Sequence, residues 1–439
     1  MAQMKITIIG TGYVGLVSGV CFADAGHDTV CVDLDAQKVE RLRAGDVPIY
    51  EPGLDALMQR AMEAGALKFT TQLDEAAQGA DVIIIAVGTP EGEDGSADLR
   101  YVYAAARQIA PLLSGYTVIV TKSTVPIGTG DEVEAILREA NPTAEFDVVS
   151  NPEFLREGVA VDDFRFPDRV IIGTDSARAR VVMERLYAPF QNPKSADFPL
   201  EFVNRRTSEL IKYAGNAYLA MKITFINEMA DLCEAVGADI GQVARGIGLD
   251  HRIGLNYLSA GPGYGGSCFP KDTQAVGATA RKHATPLRLI ETVVDVNASR
   301  KRAMAERVID ALGGNAQRKT VALLGLAFKP DTDDMRESPA IDLVQGLLTH
   351  GVHIRAYDPE AMVAARRVLP PIAYADDAYN CVENADCVVI VTEWPAFKAL
   401  DIDRLKSAMR APVMVDLRNL FDPDGMRASG FTYRSIGRA

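Results

Sequence analysis

Lys5-Ile6-Thr7-Ile8-Ile9-Gly10-Thr11-Gly12-Tyr13-Val14-Gly15 decides the fold: a β-branched apolar run passes directly into three glycines spaced G-x-G-x-x-G, and a helical pattern follows. Gly10 permits a tight turn, Gly12 lets a pyrophosphate approach the backbone, and Gly15 lets the helix pack on the strand. The helix start offers unpaired N–H groups to the same anion, with Tyr13 and Val14 in its first turn. Without the preceding strand the three glycines would be a chance turn. Asp33 ends the next β-branched run, 23 residues after Gly10, where a carboxylate accepts from both hydroxyls of a ribose. Leu34 and Asp35 follow it and no Arg does, so a 2′-phosphate would meet negative charge; the expected cofactor is NAD rather than NADP. Lys38 either touches the adenosine end or is an ordinary solvated lysine.

Outward from this turn, short apolar runs alternate with longer helical patterns at Lys5–Ile9, Thr29–Val32, Val82–Val87, Thr117–Val120 and Asp147–Val149. That alternation predicts a parallel sheet with crossover helices. Loops at the C-terminal ends of its strands would cover the cofactor, which brings in Thr89 and Thr124; their hydroxyls serve equally well as turn or cap groups. A second series follows at Thr320–Leu324, His353–Tyr357, Cys387–Val391 and Val413–Val415, and Ala80-Asp81-Val82-Ile83-Ile84 is echoed by Ala385-Asp386-Cys387-Val388-Val389. Between them Thr207–Val236 is one helical pattern, with Thr207 or Ser208 as N-cap and Gly237 as stop. The expectation is an α/β chain of two doubly wound, Rossmann-like domains joined by a helical middle. The boundaries fall at 1–200, 201–312 and 313–439.

A chain of 439 residues, 48% of them hydrophobic, is long enough for two or three cores. Its net charge of -13 argues against nucleic acid, so an anionic ligand must meet a local cluster of cations. No apolar run approaches the roughly 18 residues that span a bilayer, and no secretory leader is read at the N-terminus; a cytoplasmic protein away from membranes is expected. The six cysteines lack metal-ligand spacing, so reduced thiols and no metal are expected.

The second half does not repeat the nucleotide turn. Gly325-Leu326-Ala327-Phe328-Lys329-Pro330 lacks the second and third glycines, and Lys329 with Arg336 offers cations for a different, diphosphate-bearing molecule. Taken alone, Lys329 reads first as an ordinary surface residue. Gly263-Tyr264-Gly265-Gly266-Ser267-Cys268-Phe269-Pro270-Lys271-Asp272 sets one thiol among glycines, with a cation and a carboxylate beside it, whereas Cys21, Cys31 and Cys387 sit in apolar runs. Lowering a thiol by ~1.5 units from ~8.5 takes roughly 2 kcal/mol, and an ammonium at about 4 Å supplies up to ~4 kcal/mol at an effective dielectric of 20. Lys212 or Lys271 would suffice. Lys212 and Asn216, four residues apart on the central helix, share one face; they hold an oxyanion or are solvated. In Asn151-Pro152-Glu153-Phe154-Leu155-Arg156-Glu157-Gly158, Glu153 either orients a water or is a helix-start carboxylate.

Together, Gly10 to Gly15, Asn151 to Gly158, Glu209 to Asn216, Arg252-Ile253-Gly254, Gly263 to Asp272 and Gly325 to Lys329 resemble, in order and over essentially the whole chain, the UDP-glucose 6-dehydrogenase family. That family is part of the wider nucleotide-sugar dehydrogenase group. The resemblance implies a four-electron oxidation of UDP-glucose at C6 by two NAD in turn, with Cys268 forming a thiohemiacetal and then a thioester. It implies Asp272 as base through a water, Glu153 and Thr124 positioning the hydrolytic water, and Lys212 and Asn216 stabilising oxyanions. It further implies Asp33, Lys38, Thr89, Thr124, Glu157, Lys271 and Arg336 near NAD. The sugar nucleotide would lie against residues 153–157 (Glu153, Phe154, Leu155, Arg156, Glu157), Lys212, Asn216, Tyr257, Leu258, Ser259, Ala260, Gly261, Gly265, Cys268, Phe328 and Lys329. Arg252 would reach a neighbouring subunit's substrate in a homodimer built on the central helices. Phe269-Pro270 fits the UDP-glucose members, where GDP-mannose relatives look more like Leu-Pro.

Overall fold

The computed structural model describes residues 3–92, 95–190 and 200–438. Two compact units share the chain: Met1–Gly215 with Ala278–Thr285, and Asn216–Gly277 with Pro286–Ala439. The division falls inside the helix Arg205–Val236.

The first unit is built on eight strands: β1 Lys5–Ile9, β2 Asp28–Val32, β3 Leu67–Thr70, β4 Val82–Ile85, β5 Thr117–Thr121, β6 Phe146–Ser150, β7 Val170–Gly173 and β8 Leu200–Val203. Their order is β3-β2-β1-β4-β5-β6-β7-β8, so the direction of winding reverses between β1 and β4, the place where open α/β sheets bind ligands. β1, β4 and β5 are buried almost throughout because helices cover both faces, which is why they read as continuous apolar runs. The sheet is not wholly parallel: β7 pairs antiparallel to β6 and carries β8 with it as an added edge. The sequence reading had neither strand.

The second unit repeats the plan with β9 Thr320–Leu324, β10 His353–Tyr357, β11 Ala373–Tyr374, β12 Cys387–Ile390, β13 Val413–Asp416 and β14 Thr432–Ser435, in the order β11-β10-β9-β12-β13-β14 and all parallel. Two sheets in this order bear out the doubly wound expectation. The helices Ile240–Gly248 and Arg288–Ala311 also belong to this unit.

The long helix begins at Arg205, two residues before the expected cap. Thr207 and Ser208 are already helical; it is Asn204 whose Oδ1 accepts the Thr207 N–H at 2.8 Å. Gly237 ends the helix at φ +73° as expected. Among the described residues no helix is long and apolar enough to cross a membrane.

Candidate functional site

The turn between β1 and the helix Tyr13–Asp24 is only three residues long. Gly10 has φ +98°, and a Cβ there would stand 2.7 Å from the Ala86 carbonyl oxygen; a Cβ on Gly15 would stand 1.9 Å from that of Gly10. Both glycines are therefore needed for the turn itself. Gly12 has nothing within 4 Å of a built Cβ, and no side chain caps the helix it precedes. An open glycine below uncapped amides is a cradle for an anion. Asp33 sits beside it, its Oδ2 accepting from the Thr11 N–H at 2.9 Å, the Thr11 hydroxyl at 2.5 Å and Lys38 Nζ at 3.0 Å. Burial works against its charge, but the Thr11 hydroxyl, the Asp35 and Thr11 amides and Lys38 outweigh it and hold the carboxyl at about 2. It is an acceptor-only group, as a ribose diol requires, and these residues fit a bound NAD.

The loop 151–158 follows β6 and is not helical up to Arg156, so Glu153 is not a helix-start carboxylate. Glu153 is buried and takes Lys212 Nζ at 3.1 Å, both side chains being nearly inaccessible. Burial pulls its carboxyl up, yet Lys212, the Leu155 N–H and Lys122 bring it below its usual value. Lys212 Nζ also stands 5.4 Å from the Phe154 ring, which Arg169 covers at 3.9 Å. Thr89 donates to the Thr124 carbonyl at 2.9 Å, tying the loops after β4 and β5 together. Tyr13 turns its hydroxyl to Glu51, and Glu51 accepts from the Gly158 and Ala160 amides at 2.6 and 2.7 Å. The 151–158 loop is thus fastened to the glycine turn. Arg156 is exposed and forks onto Asp163; Glu157 lies half-buried between them.

In the second unit, Cys268 is the only one of six cysteines that is not buried. It immediately precedes the helix Phe269–Lys282, and its carbonyl accepts the Asp272 N–H at 2.8 Å; a helix start favours the thiolate. Burial instead pushes the Cys21, Cys31, Cys381 and Cys387 thiols up to about 12. Asp272 is wholly buried, with Lys271 Nζ at 2.7 Å and Asn216 Nδ2 at 2.6 Å. The two lysines offered as activators of Cys268 are each engaged by a carboxylate: Lys212 by Glu153, Lys271 by Asp272. The glycines before Cys268 are filled from their own unit: a Cβ on Gly265 would stand 2.4 Å from the Glu337 carbonyl oxygen, and one on Gly266 would meet the Phe328 ring at 2.7 Å. Their bareness admits the segment Phe328–Glu337, bringing Phe328 and Glu337 against the cysteine loop. Two residues of the helix Arg288–Ala311 hold that loop, and a third holds the segment beside it. Asn297 bonds the Tyr264 amide and carbonyl at 2.9 and 3.1 Å and Arg300 the Gly261 carbonyl at 2.7 Å, while Lys301 bonds the Glu337 carboxylate at 2.8 Å.

Tyr257, at φ +64°, and the stretch Leu258, Ser259, Ala260 and Gly261 lead into the loop. Leu258, Ser259 and Ala260 line a cavity of about 510 Å³ whose wall includes Arg418, Asn419 and Arg438. Arg336 forks onto Asp334 and Arg252 onto Asp250, both at the surface. Among the described residues no cluster of His, Cys, Asp and Glu is arranged to hold a metal.

Sequence reasoning missed Glu51, Lys122 and Glu209, all buried. Glu209 accepts the Gly128 and Gly130 amides at 2.6 and 2.8 Å and so clamps the loop beyond Thr124 to the long helix. Lys122 is the one with a legible signal: a lysine directly after the β-branched run of β5.

Residues 4–191, 206–299 and 322–423 match the NAD binding, central and UDP binding domains of the UDP-glucose/GDP-mannose dehydrogenase family. The chain is 60% identical over 438 residues to the UDP-glucose 6-dehydrogenase of Rhizobium meliloti (strain 1021), covering 99% of this chain and 100% of that one. Its fold superposes on a UDP-glucose dehydrogenase from the archaeon Pyrobaculum islandicum with a TM-score of 0.91 and 39% identity, covering 100% and 98% of the two chains. It also superposes on a UDP-D-ManNAc dehydrogenase from Pyrococcus horikoshii with a TM-score of 0.86 and 28% identity, covering 99% of each. This chain therefore belongs to the UDP-glucose/GDP-mannose dehydrogenase family and is an NAD-dependent oxidoreductase.

Proposed function

We propose that the chain oxidises UDP-glucose at C6 to UDP-glucuronate through a covalent adduct on Cys268. The observation that carries this is the contrast among the cysteines: five are buried, and the sixth is presented at a helix start by a loop that Asn297 and Arg300 hold. NAD, when bound, accepts a hydride, and two are consumed in turn on the way from alcohol to acid. Asp272, through a water, takes the proton of the C6 alcohol. The Cys268 sulfur adds to the C6 aldehyde carbon, its proton passing to the oxygen, and the thiohemiacetal keeps the aldehyde bound. Its oxidation leaves a thioester, and a water held by Glu153 and Thr124 cleaves the C–S bond to give the carboxylate and return the thiol. Lys212 and Asn216 hold the oxyanions.

The remaining assignments stand on the same reading. Gly10, Gly12, Tyr13, Val14, Gly15, Asp33, Lys38, Thr89, Thr124, Glu157, Lys271 and Arg336 serve NAD, and the other residues named from the resemblance serve UDP-glucose, the cavity beside Leu258 to Ala260 supporting them. Domain boundaries at 1–200, 201–312 and 313–439 and a cytoplasmic location belong to it too. So does the homodimer, which the stripe Tyr218, Phe225, Leu232 and Val236, exposed along the long helix, supports; sedimentation should return the mass of two chains, and a monomer would dismiss it.

The test is a panel of UDP-glucose, UDP-N-acetylmannosamine and GDP-mannose read by NADH formation. Two NADH per UDP-glucose, and uronate yield abolished in Cys268→Ala, are the expected results. One NADH per sugar, or normal uronate from Cys268→Ala, would remove the covalent scheme.

A further inference from the structure

Lys122 is the most deeply buried cation of the first unit that the proposed chemistry leaves unused. It lies just beyond β5, and its ammonium donates to Asn151 Oδ1 at 3.2 Å and to the Tyr187 hydroxyl at 3.1 Å. The Tyr187 hydroxyl donates to the same Oδ1 at 2.6 Å, Asn151 Nδ2 donates to the Ile171 carbonyl at 2.8 Å, and the Asn151 amide to that of Thr121 at 3.0 Å. Asn151 is consequently fixed at side chain and backbone, and only Pro152 separates it from Glu153. Phe164 and Tyr187 flank the ammonium with their rings, at 5.7 and 5.8 Å.

A buried ammonium is expensive for a fold, and an apolar side chain of the same length would fill this space with no charge to desolvate. Packing therefore does not account for a lysine here. The bonds to Asn151 and Tyr187 do, and Glu153 attracts Lys122 as well as Lys212. Burial lowers the Lys122 ammonium to about 8, with Glu153 pulling up and Lys212 pushing down. A buried cation acting on the loop that positions the hydrolytic water suits a step in which negative charge develops on oxygen.

We propose that Lys122 is a positioning residue for thioester hydrolysis: through Asn151 and Tyr187 it fixes the loop that carries Glu153. This rests on the Cys268 thioester proposed above, and Glu153→Gln is the control that separates the two ideas. Enzyme mixed with NAD and UDP-glucose is quenched and weighed intact, alongside steady-state NADH formation and thermal unfolding.

Glu153→Gln is expected to accumulate an acyl adduct on Cys268. Lys122→Met should accumulate the same adduct, lose about 10- to 100-fold in kcat with KM for UDP-glucose little changed, and unfold at the wild-type temperature or above. Tyr187→Phe, which keeps its ring against Phe22 and Phe190, should show the same adduct with a smaller loss of kcat, and it decides the matter alone if Lys122→Met does not fold. Wild-type kcat and no adduct in the folded Lys122 variant, or in Tyr187→Phe standing alone, while Glu153→Gln accumulates it, would overturn the role of Lys122. No adduct in Glu153→Gln would remove the thioester reading and this role with it.

Discussion

The two sheets share one strand order and open their first turn with the same residue in the same conformation, yet they make opposite use of the carboxylate beside it. Gly10 at φ +98° and Gly325 at φ +96° follow β1 and β9, and each is pressed on the end of the neighbouring strand, near Ala86 in one case and Thr392 in the other. Asp33 and Asp358 follow β2 and β10 directly. Asp33 remains partly accessible beside an open glycine turn of three residues. Asp358 is wholly buried: one oxygen accepts the Leu326 and Ala327 amides and Trp394 Nε1 at 2.6 to 3.1 Å, the other the Glu360 and Ala361 amides at 2.9 and 2.8 Å. The chain then runs 14 residues before the helix Pro339–Thr349 begins. In the first sheet the carboxylate takes only the Thr11 amide of the turn and stays partly accessible, whereas in the second it takes the Leu326 and Ala327 amides and is wholly buried. One fold thus becomes a dinucleotide site or a scaffold for a different loop, according to how completely one aspartate is enclosed.

Exchanging each aspartate for asparagine is the direct way to break this comparison. Asp358→Asn sets an NH2 against two or three of the five donors and should cost about 3 to 5 kcal/mol of stability, seen in thermal unfolding, with the NAD dissociation constant unchanged. Asp33→Asn should weaken NAD roughly 10- to 100-fold in calorimetry and lower the unfolding temperature less than Asp358→Asn does, because the carboxylate it removes is still partly accessible. If both variants lost NAD affinity equally, the two turns would not have separate tasks.

A smaller effect sharpens it. Beyond β5 the loop is clamped by Glu209, and beyond β13 the loop is clamped by Asp416, which accepts from the Arg418 and Phe421 amides and the Tyr433 hydroxyl. Burial raises both carboxyls, Glu209 to about 7 against the pull of the Gly128 and Gly130 amides. A raised carboxyl binds its proton more tightly folded than unfolded. Its contribution is fully present below the ordinary value near 4.5 and is lost as pH rises through about 7. Relative to Glu209→Gln, the wild type should therefore lose up to roughly 3 kcal/mol between pH 5 and pH 8, followed as the difference in unfolding temperature. A difference that does not vary with pH would show that Glu209 keeps one charge state throughout.

Most of the strands legible in the sequence are buried on both faces. β1 and β9 run over the residues their pattern marks, because a strand covered by helices on two sides is apolar almost throughout, whereas β10, with His353 exposed and Ile354 and Ala356 buried, is legible from its alternation. β3, β8, β11 and β14 are short edges with mixed faces, and four residues of alternation cannot be told from a turn of helix. β7 is buried but only four residues long, and its reversed direction depends on a partner, β6, to which no local signal points.

The candidate site divides in the same way. Residue types and spacing by themselves determined the nucleotide turn, the NAD-type carboxylate Asp33, the duplicated sheets and the marked character of Cys268, because backbone geometry at glycine and the β-branched run before it are local matters. Tertiary structure alone decided that Glu51, Lys122 and Glu209 hold the loops, that Lys212 faces Glu153, and that Gly265 and Gly266 are filled by Glu337 and Phe328. Those outcomes depend on which groups are brought together out of water, and partners 29 to 107 positions apart in the chain leave no trace in a local pattern.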